Sequence, residues 1–468
     1  MAKQIVVTPA TRIEGHARIL LDLDDAGAVA GARLEVLDIR GFERLLERME
    51  LLKMPLITAR LCGVCPAAHH LAAVVAIENG LGVTAPEGAR RMRELLYAGH
   101  ILHSHALSAF VLSGPDVLLG LGAPASDRSI FHLLKIEPEL AKKLLRLRTI
   151  GQKTVEVIGG RGVHPVSLVP GGIAFRPSDA ALKTLAASGQ EAVTLLVELL
   201  ARMRERLALL KEVREAARLS INALALSNKG AASFLDGDWV VRGPQGAIEK
   251  RFNGSAYAEH LTEQVMPGSY MKSVHLRGVS EPRFFVGPLA RVLINDKMDA
   301  PLAQAELTRL RAQIAVQVSA VDFIEARLVE MLYCAERIAL LAQQGPPTGT
   351  LAVEVNVKAG RYIGAIEAPR GLLVHDYTAD AQGHVVAANL IVATQNNYDA
   401  INTSIAAMAS ALLPHHDDNL LMNGMEFALR CFDPCLACAT HAAGQLPLSV
   451  ELSVPGRPTR VLVRGGQR

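Results

Sequence analysis

Cysteine is scarce, with six residues in a chain of 468. That is too few for a disulfide scaffold, and no closely spaced run of the kind that holds an iron–sulfur cluster is present. Aromatic residues make up only 4% of the chain, and its 49 Lys and Arg and 46 Asp and Glu are spread along it. With neither a basic stripe nor stacking side chains to follow a strand, nucleic-acid binding is disfavoured. Long hydrophobic runs are missing as well: segment 71–77 falls far short of the roughly 20 residues of a membrane span. No signal-like apolar stretch precedes Arg12 and Glu14. The expectation is a cytoplasmic chain that does not itself span a membrane. What is plentiful is apolar bulk. Half the residues are hydrophobic and only 20% are charged, which implies a large core or a surface covered by a partner.

The first 40 residues alternate in strand fashion, with Asp24-Asp25-Ala26-Gly27 as a turn. From about 66 to 345 the apolar spacing is mostly helical, over 87–119, 137–158, 179–227 and 302–345. Gly- and Pro-rich 159–177 and the aperiodic 229–300 read as loops and small β pieces. Strands follow within 350–392, turning at Asp380 to Gly383, then helices at 397–413 and 417–431, and a strand pair closes the chain. The expected fold is α+β and mainly α, a bundle of long helices with small peripheral sheets.

Four cysteines form two tight pairs, Arg60-Leu61-Cys62-Gly63-Val64-Cys65-Pro66-Ala67-Ala68-His69 and Asp433-Pro434-Cys435-Leu436-Ala437-Cys438-Ala439-Thr440-His441. Two intervening residues let both sulfurs reach one ion, and a proline beside each pair suits the first turn of a helix, whose N–H groups favour thiolate. A histidine three or four positions on can hydrogen-bond a ligand sulfur. Four thiolates are a soft site for nickel, zinc or iron. A structural zinc site and a redox-active dithiol stay open at this point. Against zinc, the pairs lie at opposite ends of the chain rather than within one local loop, and against the dithiol, neither pair follows a strand of a βαβ unit. Cys334 and Cys431 have no partner at metal spacing and read as core.

The paired motifs resemble the two signatures of nickel–iron hydrogenase large subunits. The likeness extends over the chain, through Arg12-Ile13-Glu14-Gly15-His16, Arg40-Gly41-Phe42-Glu43, Gly160-Arg161 to His164-Pro165, Glu367-Ala368-Pro369-Arg370-Gly371 and Thr394. His105-Ala106-Leu107-Ser108 and His441-Ala442-Ala443-Gly444-Gln445 make it most similar to the cytoplasmic bidirectional, NAD(P)-coupled group. The resemblance implies that Cys62 and Cys435 are terminal nickel ligands, while Cys65 and Cys438 bridge nickel to an iron carrying CO and two cyanides. Four thiolates and two cyanides outweigh the charge of two divalent ions, so such a centre favours a nearby cation. By resemblance that cation is Arg370, with Asp433 beside it and Pro369 among the cofactor-binding residues. His69 would hydrogen-bond a bridging sulfur and Thr394 would donate to a cyanide. Heterolytic cleavage of H2 releases a proton, for which Cys435 and then Glu14 are the implied acceptors. Glu43 and His441, with a backbone carbonyl near Tyr398, match a structural magnesium site.

Ser108 departs from the family, many of whose members carry Asp there. Asp433 also reads as a possible helix N-cap. The resemblance further implies an iron–sulfur small subunit, diaphorase subunits carrying FMN and NAD(P), and a protease that cuts after His441. The domain division is thus 1–441, with a β region to about 40, a helical core over about 66–345, β structure and helices over about 350–441, and an extension at 442–468. Two rivals stand beside this reading: a metal-free quinone-reductase subunit of the complex I type, which has lost the cysteines, and a hydrogen-sensing subunit with little turnover, which the sequence does not discriminate.

Overall fold

The computed structural model describes residues 3–39, 41–124, 126–315, 317–440, 448–452 and 460–464. Strands β1 (Lys3–Val7), β2 (Ala17–Leu23) and β3 (Val29–Val36) form an antiparallel meander in which Ile19 opposes Leu34 and both face the core. The turn stands where the sequence placed it, closed by Gly27 N–H donating to the Asp24 carbonyl at 3.0 Å.

After a short helix α1 (Phe42–Leu46), helix α2 (Pro66–Leu81) begins with a proline in its first turn and stops at left-handed Gly82. It is apolar on nearly all sides because it is buried on nearly all sides. Helices α3 (Glu87–Ala106), α4 (Pro138–Gly159) and α5 (Asp179–Ala208) follow. Ser178 starts α5, its hydroxyl accepting from Ala181 N–H. The axis of α3 continues through a π-helical turn, Leu107–Leu112. By length and composition the helix over Glu87–Leu112 could cross a membrane, yet most of its apolar stretch is buried inside the fold.

The expected helix over 179–227 ends early. It gives way to strand β4 (Asn222–Asn228), paired with β5 (Asp238–Arg242), which pairs with β6 (Ile248–Phe252). Residues 222–227 are all buried, and a short continuous apolar run fits a central strand as well as a helix. Past α6 (Pro288–Ile294), the expected helix over 302–345 is two, α7 (Pro301–Ile314) and α8 (Asp322–Gln343). The break falls where Arg218 and Ser319 pair as an isolated bridge, which draws the 318–320 backbone out of helical bonding.

Strands β7 (Gly360–Ala368), β8 (Gly371–Ala379) and β9 (Val385–Ile391) make an antiparallel sheet against which α2 packs. Helices α9 (Tyr398–Leu412) and α10 (Asp418–Cys431) pack together, and β10 (Leu448–Leu452) pairs with β11 (Arg460–Arg464). Helices α3, α4, α5 and α8 pack in successive pairs as the central bundle. The fold is α+β and mainly α, as expected.

Candidate metal centre

The start of α2 and the segment after α10 meet in the core. Cys65 is the residue before α2, and the backbone N–H groups of Val64 and Cys65 donate to Cys62 Sγ at 3.2 and 3.3 Å. Two backbone amides thus converge on the Cys62 sulfur just ahead of the helix. The second pair differs from expectation. Among the described residues no helix follows Pro434; the segment turns back on itself, with Ala439 N–H donating to the Leu436 carbonyl. Asp433 consequently caps no helix and sits at a left-handed φ of 53°. What holds the second pair is long-range. Leu436 N–H donates to the Glu14 carbonyl, Ala437 N–H donates to Glu14 Oε2 at 2.9 Å, and Cys435 N–H donates to Thr394 Oγ1 at 3.0 Å.

All four sulfurs lie within 4.8 Å of one another and are buried. The closest pairs are Cys435–Cys438 at 3.1 Å, Cys62–Cys435 at 3.3 Å and Cys65–Cys438 at 3.5 Å. Adjacent thiolates on an ion about 2.3 Å away stand roughly 3.3–3.8 Å apart, a spacing that Cys62–Cys435 and Cys65–Cys438 meet and Cys435–Cys438 approaches. Hydrogen bonds from Cys435, Cys438 and Cys62 draw Cys65 well below the usual thiol range. Its sulfur neighbours push Cys435 well above that range, and burial does the same to Cys438. Divalent ions are what this donor set fits. Cys334 and Cys431 are core residues whose thiols burial pushes up.

Arg370 is buried over this cluster. Its Nε donates to the Asp433 carbonyl at 2.6 Å and Nη2 to Asp433 Oδ1 at 3.1 Å, leaving Nη1 and Asp433 Oδ2 without partners. Burial opposes the charge on Arg370, but Asp433 and the cysteine sulfurs outweigh it and hold its pKa well above the usual value. Removing either member would leave a buried unpaired charge, a cost of about 3–5 kcal/mol. Ser108, on the π-helical turn, is buried with its Oγ unpartnered and gives Arg370 no hydrogen bond. His69 Nε2 is a fourth orphan, and the His69 side chain is among the groups that lower Cys65. Thr394 Oγ1 accepts from Cys435, a contact not foreseen, and its own proton remains to donate.

Sequence reasoning missed the frame behind these groups. Arg291 on α6 binds Glu330 of α8 twice, at 2.6 and 2.7 Å, and Glu367 at 2.7 Å. Arg291 also donates to the carbonyls of Ala368 and Pro369, the two residues before Arg370. His105 Nε2 closes the network at 2.8 Å from Glu330. Burial alone would raise Glu330, but Arg291 takes it down to about 2, whereas burial prevails at Glu367 and pushes it up to about 7. A second frame binds Asp116 to Arg12 at 2.5 Å, Arg128 at 2.7 Å and Arg430 at 3.1 Å, fixing the segment that carries Glu14. Charged residues inside apolar helical runs, such as Glu330 on α8, were the available signal.

Gly15 shows how closely the two ends approach. Its φ is +88°, and an added Cβ would lie 2.8 Å from Leu436 Cβ and 3.1 Å from Ala437 N. We expect Gly15→Ala to displace the second cysteine pair, and nickel content after expression with the maturation machinery should fall by at least half. Full loading would show that the approach tolerates a side chain.

Glu43 stands on α1. His441 and Arg40 lie outside the described residues, and Tyr398 is buried at the start of α9. Among the described residues the quartet is the one group of three or more possible ligands that converges. A cavity of about 790 Å³ is lined by Tyr97, Arg90 and Trp239 among others and by none of the four cysteines.

Distant ends of the chain supply the sulfurs, and a buried guanidinium, an orphan imidazole and a partly exposed carboxylate surround them. This is a thiolate-ligated redox metal centre rather than a structural zinc knot, whose ligands come from one local loop. The sequence matches the nickel-dependent hydrogenase family over residues 40–123 and 207–441, with a HoxL-like segment over 4–39. The chain belongs to that family. It is 30% identical to NAD-reducing hydrogenase HoxS subunit beta of Cupriavidus necator, over 97% of each chain. It is 34% identical to a subunit of the F420-non-reducing hydrogenase of Methanothermobacter thermautotrophicus, over 94% of each chain. Among solved structures it is similar to an NAD+-reducing [NiFe]-hydrogenase in the H2-reduced state, with TM-score 0.89 and 33% identity, covering 94% of this chain and 99% of that one.

This protein is thus the catalytic, nickel- and iron-bearing subunit of a [NiFe] hydrogenase, and it works with a hydrogenase partner subunit. With all four cysteines together, the metal-free reading falls.

Proposed function

We propose that Cys62 and Cys435 hold nickel terminally, that Cys65 and Cys438 bridge it to an iron bearing CO and two cyanides, and that H2 is split and formed there reversibly. The bound metals supply the redox chemistry. Around them, Cys435 Sγ takes up the proton of heterolysis and Glu14 passes it outward. Glu14 is tied to the same turn through Ala437 N–H and is partly exposed, which suits a carrier between core and solvent. Arg370 offers Nη1 to the reacting gas, and Asp433 fixes the guanidinium plane. Pro369, its carbonyl held by Arg291, and the Thr394 hydroxyl would face the iron's diatomic ligands. Glu43 and His441, with a carbonyl near Tyr398, would hold magnesium.

Electrons leave through an iron–sulfur small subunit, because the six cysteines of this chain provide no cluster run. Diaphorase subunits then carry them to NAD(P) in the cytoplasm, a reading supported by the NAD-reducing relatives. Residues 1–441 act as one catalytic unit, and a maturation protease removes 442–468 once nickel is in place. The observation that carries this function is the buried sulfur quartet with Arg370 Nη1 and His69 Nε2 unpartnered beside it.

The test uses the purified complex. We expect one nickel per large subunit, infrared bands of CO and cyanide, an intact mass ending at His441, and H2-driven reduction of NAD+ or NADP+ at rates comparable to a dye. Metals and bands with dye reduction alone would remove NAD(P) coupling. Metals without turnover by any acceptor would leave a sensor.

A further inference from the structure

Strand β8 points alternate residues to opposite faces, so His375 and Tyr377 share one face. That face lies against α2, which carries His69. His69 Nδ1 is 3.0 Å from His375 Nε2, and His375 Nδ1 is 2.6 Å from the Tyr377 hydroxyl. The three side chains are all fully buried. They form a line of hydrogen bonds that ends, on the metal side, at the orphan His69 Nε2 beside Cys65, with Thr58 against the Tyr377 hydroxyl at the other end. None of the sequence motifs pointed to His375 or Tyr377.

Such a line has a direction. A metal-bound thiolate only accepts hydrogen bonds, so His69 must present Nε2–H to Cys65. In a neutral ring Nδ1 then accepts, and His375 must donate from Nε2. Its Nδ1 becomes an acceptor, leaving the Tyr377 O–H as the terminal donor. Burial holds the His375 imidazole neutral and keeps the Tyr377 phenol protonated, as this order requires.

We propose that His375 and Tyr377 are positioning residues that fix His69 in its Nε2–H tautomer and keep that N–H on the Cys65 sulfur. The inference rests on the proposed bridging role of Cys65. A donor on a bridging sulfur withdraws electron density from the iron, so the CO stretching band reports it without reference to turnover.

The loaded complex is compared as wild type and as His69→Leu, His375→Leu, His375→Gln and Tyr377→Phe, with nickel measured in each. His69→Leu should move the CO band to lower frequency, and His375→Leu and Tyr377→Phe should move it the same way by a smaller amount. His375→Gln retains an N–H for His69 Nδ1, and its band should stay near that of wild type. If His69→Leu moves the band while His375→Leu and Tyr377→Phe leave it in place at full nickel content, the relay is overturned and His69 keeps its own role. A band unmoved in all four variants removes His69 from the sulfur, and the inference fails with it.

Discussion

Replacing any one of Cys62, Cys65, Cys435 or Cys438 by Ala should give a folded subunit with no retained nickel and H2 turnover below detection. Folding survives because each change deletes one buried sulfur from a well-packed environment, a loss of about 1 kcal/mol by area. Loading does not survive. The sulfurs stand 3.1 to 3.5 Å apart in three of their pairs, so each is an immediate neighbour of another and none is a spare. Loss of one opens a coordination position and leaves Arg370 over a less negative cluster. Cys334→Ala and Cys431→Ala are the matched controls, since both thiols are equally buried and neither belongs to the quartet. Metal analysis and H2-dependent dye reduction decide the matter. A quartet variant that kept nickel, iron and full turnover would dissolve the binuclear assignment.

The contrast between quartet and controls also marks what a single sequence makes legible. Spacing told Cys62 from Cys334 because the chemistry of a thiolate pair is local: two residues between sulfurs suffice to converge on an ion. Helix α2 and its opening proline were legible for the same reason, as were the turn at Asp24 and the strands before α9. The helix start predicted for the second pair was wrong. The constraint there is a parallel bridge between Glu14 and Cys435, which joins residues from opposite ends of the chain and leaves no local trace. Strand β4 was misread because total burial erases the alternation that separates strand from helix. Arg291 and Asp116 were invisible as network centres, although their charges inside apolar runs hinted at buried partners. His375 had no signal beyond its type. Its meaning comes from strand register and the helix packed against it.

Glu14→Gln should keep the metals and lose the proton path. The carboxylate accepts from Ala437 N–H through Oε2, and the backbone carbonyl of the same residue accepts from Leu436 N–H. A glutamine can accept the first bond through its amide oxygen and leaves the second untouched, so the turn bearing Cys435 and Cys438 stays in place. Shape is conserved. What is lost is a carboxyl oxygen that can take up and pass on a proton, since an amide does neither. General acid–base groups typically contribute about 10²–10⁴-fold, and turnover should fall within that range at unchanged nickel content. Glu14→Asp keeps the chemistry but draws the carboxyl back by one methylene, so it should fall between the two. H2/D+ exchange is the discriminating measurement, because exchange requires the proton to leave the centre while electron transfer to a partner does not enter. Wild-type exchange in the Gln variant would take Glu14 out of the route and turn attention to the other proton-carrying side chains near the quartet. His69 would be first among them.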